Sequence, residues 1–278
     1  MILGYNTNGF AHHAIEDALR ILSESGYRAV AYTPDVPHPA LPELPALIRA
    51  SGLLPVVETG ARFLLDPRRK HHPTLVSESG RDRRIDFYFE CIDLAAEIGA
   101  PCVSLWSGAG DDWAWLVEGL EKVCDRADAA DVDIAFEPEP GMMIDTMARF
   151  GELREKLPHE RLCLTLDVGH LHCLEDGRPE EWIARYQPLL RNVHLDDHRK
   201  GVHDHLFFGE GEIDFGPVLK ALEPLDIPAT VELSRHSHDA VATCRRAFSF
   251  LTSSASRPPS SSAAGSTESS PSRTGCIA

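Results

Sequence analysis

The chain is short of basic residues: 27 lysines and arginines stand against 43 aspartates and glutamates, a formal net charge of −16 over 278 residues. Such a field repels a polyanion unless a local basic patch overcomes it, so neither nucleic acid nor an anionic membrane is expected as a partner. No run approaches the roughly 18 apolar residues that a membrane-spanning helix needs. The start, MILGYNTNGF, has no basic region ahead of an apolar stretch. The seven cysteines, at 91, 102, 124, 163, 173, 244 and 276, include no CxxC pair. An odd, scattered count suits a reduced thiol pool and not a secreted disulfide framework, which makes the cytoplasm the expected compartment. Cys276, third from the end, misses a prenylation box by one position. Also missing is any GxGxxG or GxxxxGK run after an early strand, which argues against a dinucleotide or P-loop fold.

What is present is apolar content of 43%, enough to bury one large core or two small ones. Short runs rich in Val and Ile alternate with longer amphipathic stretches, the pattern of a parallel sheet joined by crossover helices. The strand candidates are MILGYN, AVAYT, LLPVVET, PCVSLWS, DIAFEPE, CLTLDVG, NVHLDD and ATVELS. Between them lie helical segments such as AIEDALRILSESG, RRIDFYFECIDLAAEIG, DWAWLVEGLEKVCDRA and PEEWIARYQPLL, several stopping at a glycine. Eight strand and helix units in about 250 residues predict an α/β fold of the (β/α)₈ TIM-barrel type, a single domain over residues 1–251. From Thr252 to Ala278 the chain is Ser, Pro and Ala with almost no large apolar side chain, so this segment is expected to be a disordered tail.

In such a barrel the chemistry gathers at the C-terminal ends of the strands. The last four strand candidates end in Glu137, in Asp167 followed by His170, in His194 followed by two aspartates, and in Glu232. Each end carries a metal-capable side chain. In DIAFEPEP the two-residue period turns Ala135 and Glu137 away from Ile134 and Phe136. One strand-end carboxylate is commonly just solvated, but four consecutive ends of this kind are hard to explain so, because acids are depleted in strands and costly inside barrels unless paired or coordinated.

With LDVGH, VHLDD, GEGEIDF and VEL in this order, the chain resembles the xylose isomerase-like TIM-barrel superfamily over essentially residues 1–251. That superfamily includes tagatose and psicose 3-epimerases, hydroxypyruvate isomerases, inosose dehydratases and endonuclease IV. The resemblance implies one divalent metal ion held by Glu137, Asp167, His194 and Glu232, with His170 beside it to bind a substrate oxygen. Three carboxylates and one imidazole suit Mn²⁺ best, then Mg²⁺, Co²⁺ or Zn²⁺. It implies an isomerase or epimerase of a small sugar, polyol or sugar phosphate, with proton transfer through a metal-stabilised enediolate and Glu137 and Glu232 as catalytic bases. A dehydratase would share that enediolate. The rival is a multi-zinc phosphodiesterase like endonuclease IV, in which the positions of His203 and His205 help to hold a further metal. The acidic balance disfavours it.

Other mouth residues carry weaker signals. His203 and His205 read either as substrate-binding imidazoles or as ligands of a second metal, while Asp196, Asp197 and His198 read as supports behind the ligands or as solvated groups. Glu58 ends the third strand, where it binds a sugar hydroxyl or pairs with Arg62. Arg68, Arg69, Lys70, His71 and His72 form either a solvated loop or a binding site for a substrate phosphate or carboxylate. Trp106 follows the fourth strand and offers an indole face to a sugar, and Trp113 and Trp115 read as packing at a helix start. Glu139 reaches a hydroxyl or an arginine, and Arg235, next to Glu232, joins the substrate-binding candidates. The expected partner is a small carbohydrate-like molecule, and a homo-oligomer is compatible with this reading.

A chain ending at Leu251 is expected to keep its melting temperature and metal content, since the tail supplies no apolar surface. A drop of more than about 5 °C in thermal unfolding would show that the segment docks on the barrel.

Overall fold

The structure, a computed structural model, describes residues 1–35, 41–60 and 62–254. Its first half runs β1 (Ile2–Asn6), α1 (Ile15–Glu24), β2 (Ala29–Tyr32), α2 (Leu44–Ser51), β3 (Leu54–Glu58), α3 (Arg81–Ile98), β4 (Cys102–Leu105), α4 (Trp113–Ala129) and β5 (Asp133–Phe136). The second half runs α5 (Met147–Lys156), β6 (Leu162–Asp167), α6 (Val168–Leu174), α7 (Pro179–Tyr186), β7 (Leu190–Leu195), β8 (Asp197–Arg199), β9 (Val202–Leu206), α8 (Phe215–Leu222), β10 (Pro228–Val231) and α9 (Ala240–Ser254). Eight parallel strands close into a barrel in the order β1-β10-β7-β6-β5-β4-β3-β2. All eight strand candidates are present.

Three local features differ from expectation. The segment after β7 is an antiparallel hairpin, β8 with β9, and not a plain loop. It is pinned by Arg199, whose Nε donates to Asp204 Oδ2 at 2.7 Å. The seventh helix stops at Tyr186, before Pro188, and Leu190 already belongs to β7. The last helix continues to Ser254, past the boundary expected at Leu251, because the Thr252 and Ser253 hydroxyls donate back to the carbonyls of Phe248 and Phe250. The rest of the expected tail, 255–278, lies outside the described residues.

Strand alternation sorts the side chains into two compartments. Val103, Leu105, Ile134, Phe136, Leu164, Leu166, Val193, Leu195 and Val231 join the helices in one apolar core. Their strand neighbours Ala31, Val56, Cys102 and Ala135 form a separate small cluster within the barrel. Ser104, Thr165, Asn192 and Thr230 are buried there too, and each is bonded: Thr165 Oγ1 donates to Ser104 Oγ at 2.9 Å and Thr230 Oγ1 to Asn192 Oδ1 at 3.3 Å. Pairing removes most of the cost of burying these hydroxyls. The inward column is therefore narrow and polar, and it is capped by long acidic side chains.

Helices end where the backbone can turn left-handed, as at Gly99 (φ 76°), whose N–H closes α3 onto Ala95. On the outer layer Phe150 of α5 stacks on Phe136 of β5, ring centroids 6.0 Å apart, and both are fully buried. Phe150→Ala is expected to cost about 3–5 kcal/mol, the usual loss for emptying a buried aromatic site. Urea unfolding monitored by circular dichroism checks it, and a loss below about 1 kcal/mol would mean that the layer closes over the cavity.

Candidate metal centre and active site

Glu137 and Glu232 stand one residue beyond their strands, yet each keeps its ladder bond, from Glu137 N to Leu105 O at 2.8 Å and from Glu232 N to Leu195 O at 3.0 Å. The inward alternation thus carries through to both glutamates. Asp167 ends β6 and is paired in register with His194 of β7. Its Oδ1 caps α6 by accepting the His170 N–H at 2.9 Å, so the strand turns straight into a helix whose first turn carries His170 to the mouth. That one carboxylate accounts for the LDVGH run.

Ligand atoms of Glu137, Asp167, His194 and Glu232 all lie within 4.8 Å of one another. His194 Nδ1 faces the acids: Glu137 Oε1 is at 2.9 Å, Glu232 Oε2 at 3.1 Å and Asp167 Oδ2 at 3.8 Å. Its other nitrogen, Nε2, lies 2.9 Å from Glu58 Oε1, which also accepts the Asn192 Nδ2–H at 3.1 Å. This is the carboxylate-histidine relay that fixes the orientation and tautomer of a metal-binding imidazole. Glu58 therefore stands behind His194 and is not paired with Arg62.

The donor set fits a divalent cation. Asp167 Oδ2 is buried and without a hydrogen-bond partner among the described residues. Burial, with Glu232 and Asp167 nearby, pushes Glu137 well above the usual carboxylate range in spite of His194. Burial and the Asp196 charge push Asp167 up to about 7. Burial opposes charge on His194, but Glu137, Glu58 and Glu232 outweigh it and hold the imidazole well above its ordinary value. Burial likewise opposes charge on Glu232, yet His194 and His205 keep it down at about 2. Three buried acids crowded around one imidazole hold protons or share its charge, and a divalent cation among them would take the place of those protons.

Beside this centre the structure brings His170 together with His203 and His205 of the histidine-rich stretch. His170 Nδ1 is 3.1 Å from the Pro138 carbonyl, and its Nε2 is 3.2 Å from His203 Nε2. His205 adopts a positive φ of 44° and bonds through Nδ1 to Asp196 Oδ2. His170, His203 and His205 can together present three nitrogens to one ion. Asp196, Asp197 and His198 are wholly buried, so the solvated reading of them does not hold. Asp197 accepts the backbone N–H groups of Gly209, Gly211 and Ile213, which is why GEGEID wraps it. Gly169 is required by close approach: a Cβ there would sit 1.9 Å from His198 Nδ1 and 2.4 Å from Asp196 Oδ1.

A cavity of about 420 Å³ opens above the centre, within the range of small-molecule sites. Its wall includes Trp106, Glu139, His170, His203, His205 and Arg235, all singled out from the sequence. Of the basic run, Lys70 and His71 reach it, while Arg68, Arg69 and His72 do not line it. Sequence reasoning missed Asn6, Asn8 and Asn192. Asn8 Nδ2 donates to Glu232 Oε1 at 3.0 Å. Asn6 Oδ1 accepts from Asn8 N and from Thr33 Oγ1, which sets the turn carrying Asn8. Applying the strand-end rule to GYNTNGF would have found both.

The sequence profile of the xylose isomerase-like TIM barrels matches residues 19–254. The chain belongs to that family. Inosose dehydratase of Lacticaseibacillus casei is 29% identical over 130 residues, 41% of this chain and 43% of the relative. The match to such curated relatives thus spans less than half their length. Among solved structures, D-psicose 3-epimerase with D-tagatose from Clostridium cellulolyticum H10 has a TM-score of 0.71 at 16% identity, covering 91% of this chain and 99% of that one. The IOLI protein with a binding zinc atom has a TM-score of 0.66 at 18% identity, covering 91% and 98%. Likenesses at that identity establish the shared barrel. Among the described residues no helix is long and apolar enough to cross a membrane, and the six described cysteines are free and buried.

Glu58→Gln keeps the shape behind His194 but removes the charge that orients it. It is expected to weaken divalent-metal binding by about ten- to a hundredfold while the circular dichroism spectrum stays unchanged. Unaltered affinity in a Mn²⁺ titration would remove Glu58 from the metal centre.

Proposed function

We propose that the chain is a divalent-metal-dependent isomerase or epimerase of a small sugar, polyol or sugar phosphate, acting by proton transfer at a carbon beside a carbonyl. The observation that carries this reading is the convergence of Glu137 and Glu232, with Asp167, on one imidazole nitrogen beneath the cavity. Glu137, Asp167, Glu232 and His194 through Nδ1 are the residues that would hold the ion, with Mn²⁺ the first choice for this oxygen-rich set. When bound, it stabilises the negative charge that develops on the substrate oxygens.

The protein's own groups do the rest. Glu232 has 20% of its side chain exposed against 8% for Glu137, so Glu232 opens further towards the cavity. Its Oε1, steadied by Asn8, would take a proton from the substrate carbon. Glu137 follows β5, three strands around the barrel from β10 with β7 and β6 between them, and returns a proton from the other side when the reaction is an epimerisation. One base suffices for aldose-ketose isomerisation. His170 donates from Nδ1 to the Pro138 carbonyl, so its Nε2, 3.2 Å from His203 Nε2, is the nitrogen that would accept from a substrate hydroxyl. Trp106 closes the wall over the C–H face of the sugar and excludes water. His203 and His205 reach hydroxyl groups at the rim.

Dehydration shares the first proton removal and needs in addition an acid for the leaving hydroxyl, for which the His170, His203 and His205 group is the candidate. The same group supports a second reading as a multi-zinc hydrolase resembling endonuclease IV, against which stands the acidic charge of the chain. Metal analysis separates the two. One Mn²⁺-like ion per chain supports the isomerase, and two or three zinc ions support the hydrolase.

Deuterium uptake from D₂O into ketoses, inososes and their phosphates tests the proposal directly, and no exchange with any of them would overturn it. Glu232→Gln is expected to bind metal about ten- to a hundredfold more weakly. At saturating metal its turnover should still fall by about two to four orders of magnitude, the worth of a positioned general base. Near-native turnover restored by added metal would make Glu232 a ligand only.

A further inference from the structure

Three cations, Arg62, Lys70 and Arg235, line the cavity above the acidic centre. In a chain with 43 acidic residues, cations at a pocket would ordinarily be neutralised, yet none of the three has a carboxylate partner among the described residues. Among the described residues Arg62 Nη2 meets the Asn8 carbonyl at 3.3 Å, and Arg235 Nη2 the His203 carbonyl at 3.4 Å. Both bonds are long, and both are to neutral acceptors.

The loop that presents two of these cations is built and held. The His71 N–H donates to the Arg62 carbonyl, so the segment between them closes on itself and brings Arg62 and Lys70 to the same side of the mouth. Arg84 of α3, fully buried, anchors this closure from below. Its Nη2 donates to the His71 carbonyl at 2.8 Å, its Nε to Pro73 at 2.6 Å and its Nη1 to Thr59 at 3.3 Å. The His71 ring meets Trp106 edge to face, 5.4 Å between centroids, which fixes the loop against the cavity wall. Arg235 follows β10, three strands around the barrel from β3, with β1 and β2 between them. The cations therefore bracket the β1 to β3 side of the mouth, whereas the metal-binding acids come from β5, β6, β7 and the end of β10.

We propose that Arg62, Lys70 and Arg235 form an anion subsite, which binds the carboxylate or phosphate end of a polyhydroxylated substrate while its carbonyl end lies at the Glu137, Asp167, His194 and Glu232 centre. This names the substrate class of the proton-transfer reading and rests on it. Carboxylate and phosphate share the chemistry that guanidinium and ammonium groups recognise, namely clustered acceptor oxygens with net negative charge. The unpaired state of the cations keeps them available to the ligand, and the fixed loop lowers the ordering cost of binding it.

The test uses the Mn²⁺-loaded full chain and three probes, D-gluconate, D-glucitol 6-phosphate and neutral D-glucitol, titrated by calorimetry into the native protein and into Lys70→Gln, Arg235→Gln and the double variant. At least one anion is expected to bind about tenfold or more tightly than D-glucitol. Each substitution should weaken that anion by roughly tenfold, the worth of one charge-assisted hydrogen bond, with Mn²⁺ content unchanged. Preference for gluconate alone assigns a carboxylate, for the phosphate alone a phosphate ester, and for both the shared anion chemistry. Equal binding of all three probes, undiminished anion binding by the double variant, or no anion binding at about 10 mM each overturns the subsite. The outcomes remain separate from the reaction itself. Anion binding without deuterium exchange keeps the subsite and sinks the proton transfer, and deuterium exchange together with no preference for either anion over D-glucitol does the reverse.

Discussion

Three carboxylates meet one imidazole nitrogen at the top of the barrel, and the rest of the mouth is arranged around that conflict. Glu137, Asp167 and Glu232 cannot all remain charged in so small and buried a space without a compensating positive charge. The protein meets part of the cost by giving two of the acids, and the imidazole, a further partner. Glu232 takes the Asn8 amide, Asp167 takes the His170 backbone N–H, and His194 is braced from behind by Glu58. What these partners leave unsatisfied, Asp167 Oδ2 above all, is the part of the site that a bound cation would complete.

The barrel delivers this arrangement by alternation alone. A residue facing the helices is followed by one facing the axis, so a strand that contributes Phe136 to the outer core contributes Ala135 inward and Glu137 at the rim. Because the inward residues lower down are small or bonded in pairs, the axis has room for long acids at one end only. Putting an unpaired large polar side chain lower in the column would bury it without a partner and cost several times what the rim position costs.

Most of this was legible in the sequence because it depends on local period. Eight short apolar runs predicted eight strands, and a strand-end rule applied to four of them found Glu137, Asp167, His194 and Glu232. The same rule failed to find Asn6 and Asn8, only because amides draw less attention than acids. Other features depend on pairing across the fold and leave no local trace. That Glu58 braces His194 and Asn192 requires β3 and β7 to face each other across the axis, 136 residues apart for the first pair. The β8 to β9 hairpin was hidden because charged and imidazole side chains fill a stretch with no apolar alternation, and the ion pair of Arg199 with Asp204 stabilises it in place of a core face. The buried Arg84 likewise resembles any helix-start arginine in sequence, while in the fold it anchors a whole loop.

Charge at the mouth is divided by position around the barrel, and that division follows from the same economy. The acids sit on consecutive strands of one arc, where a cation can be shared among them. Arg62 and Lys70 stand on the loop after β3, and Arg235 follows Glu232 at the end of β10; Arg62 and Arg235 spend their N–H groups on carbonyls, and among the described residues none of the three pairs with those acids. Had the cations been placed against the acids, the two sets would have neutralised each other and left a pocket with neither a place for a metal nor a hold on a ligand. On the proposed anion subsite, a molecule carrying a carbonyl end and a charged end would engage both the acids and the cations, whereas a neutral one would engage the acids only.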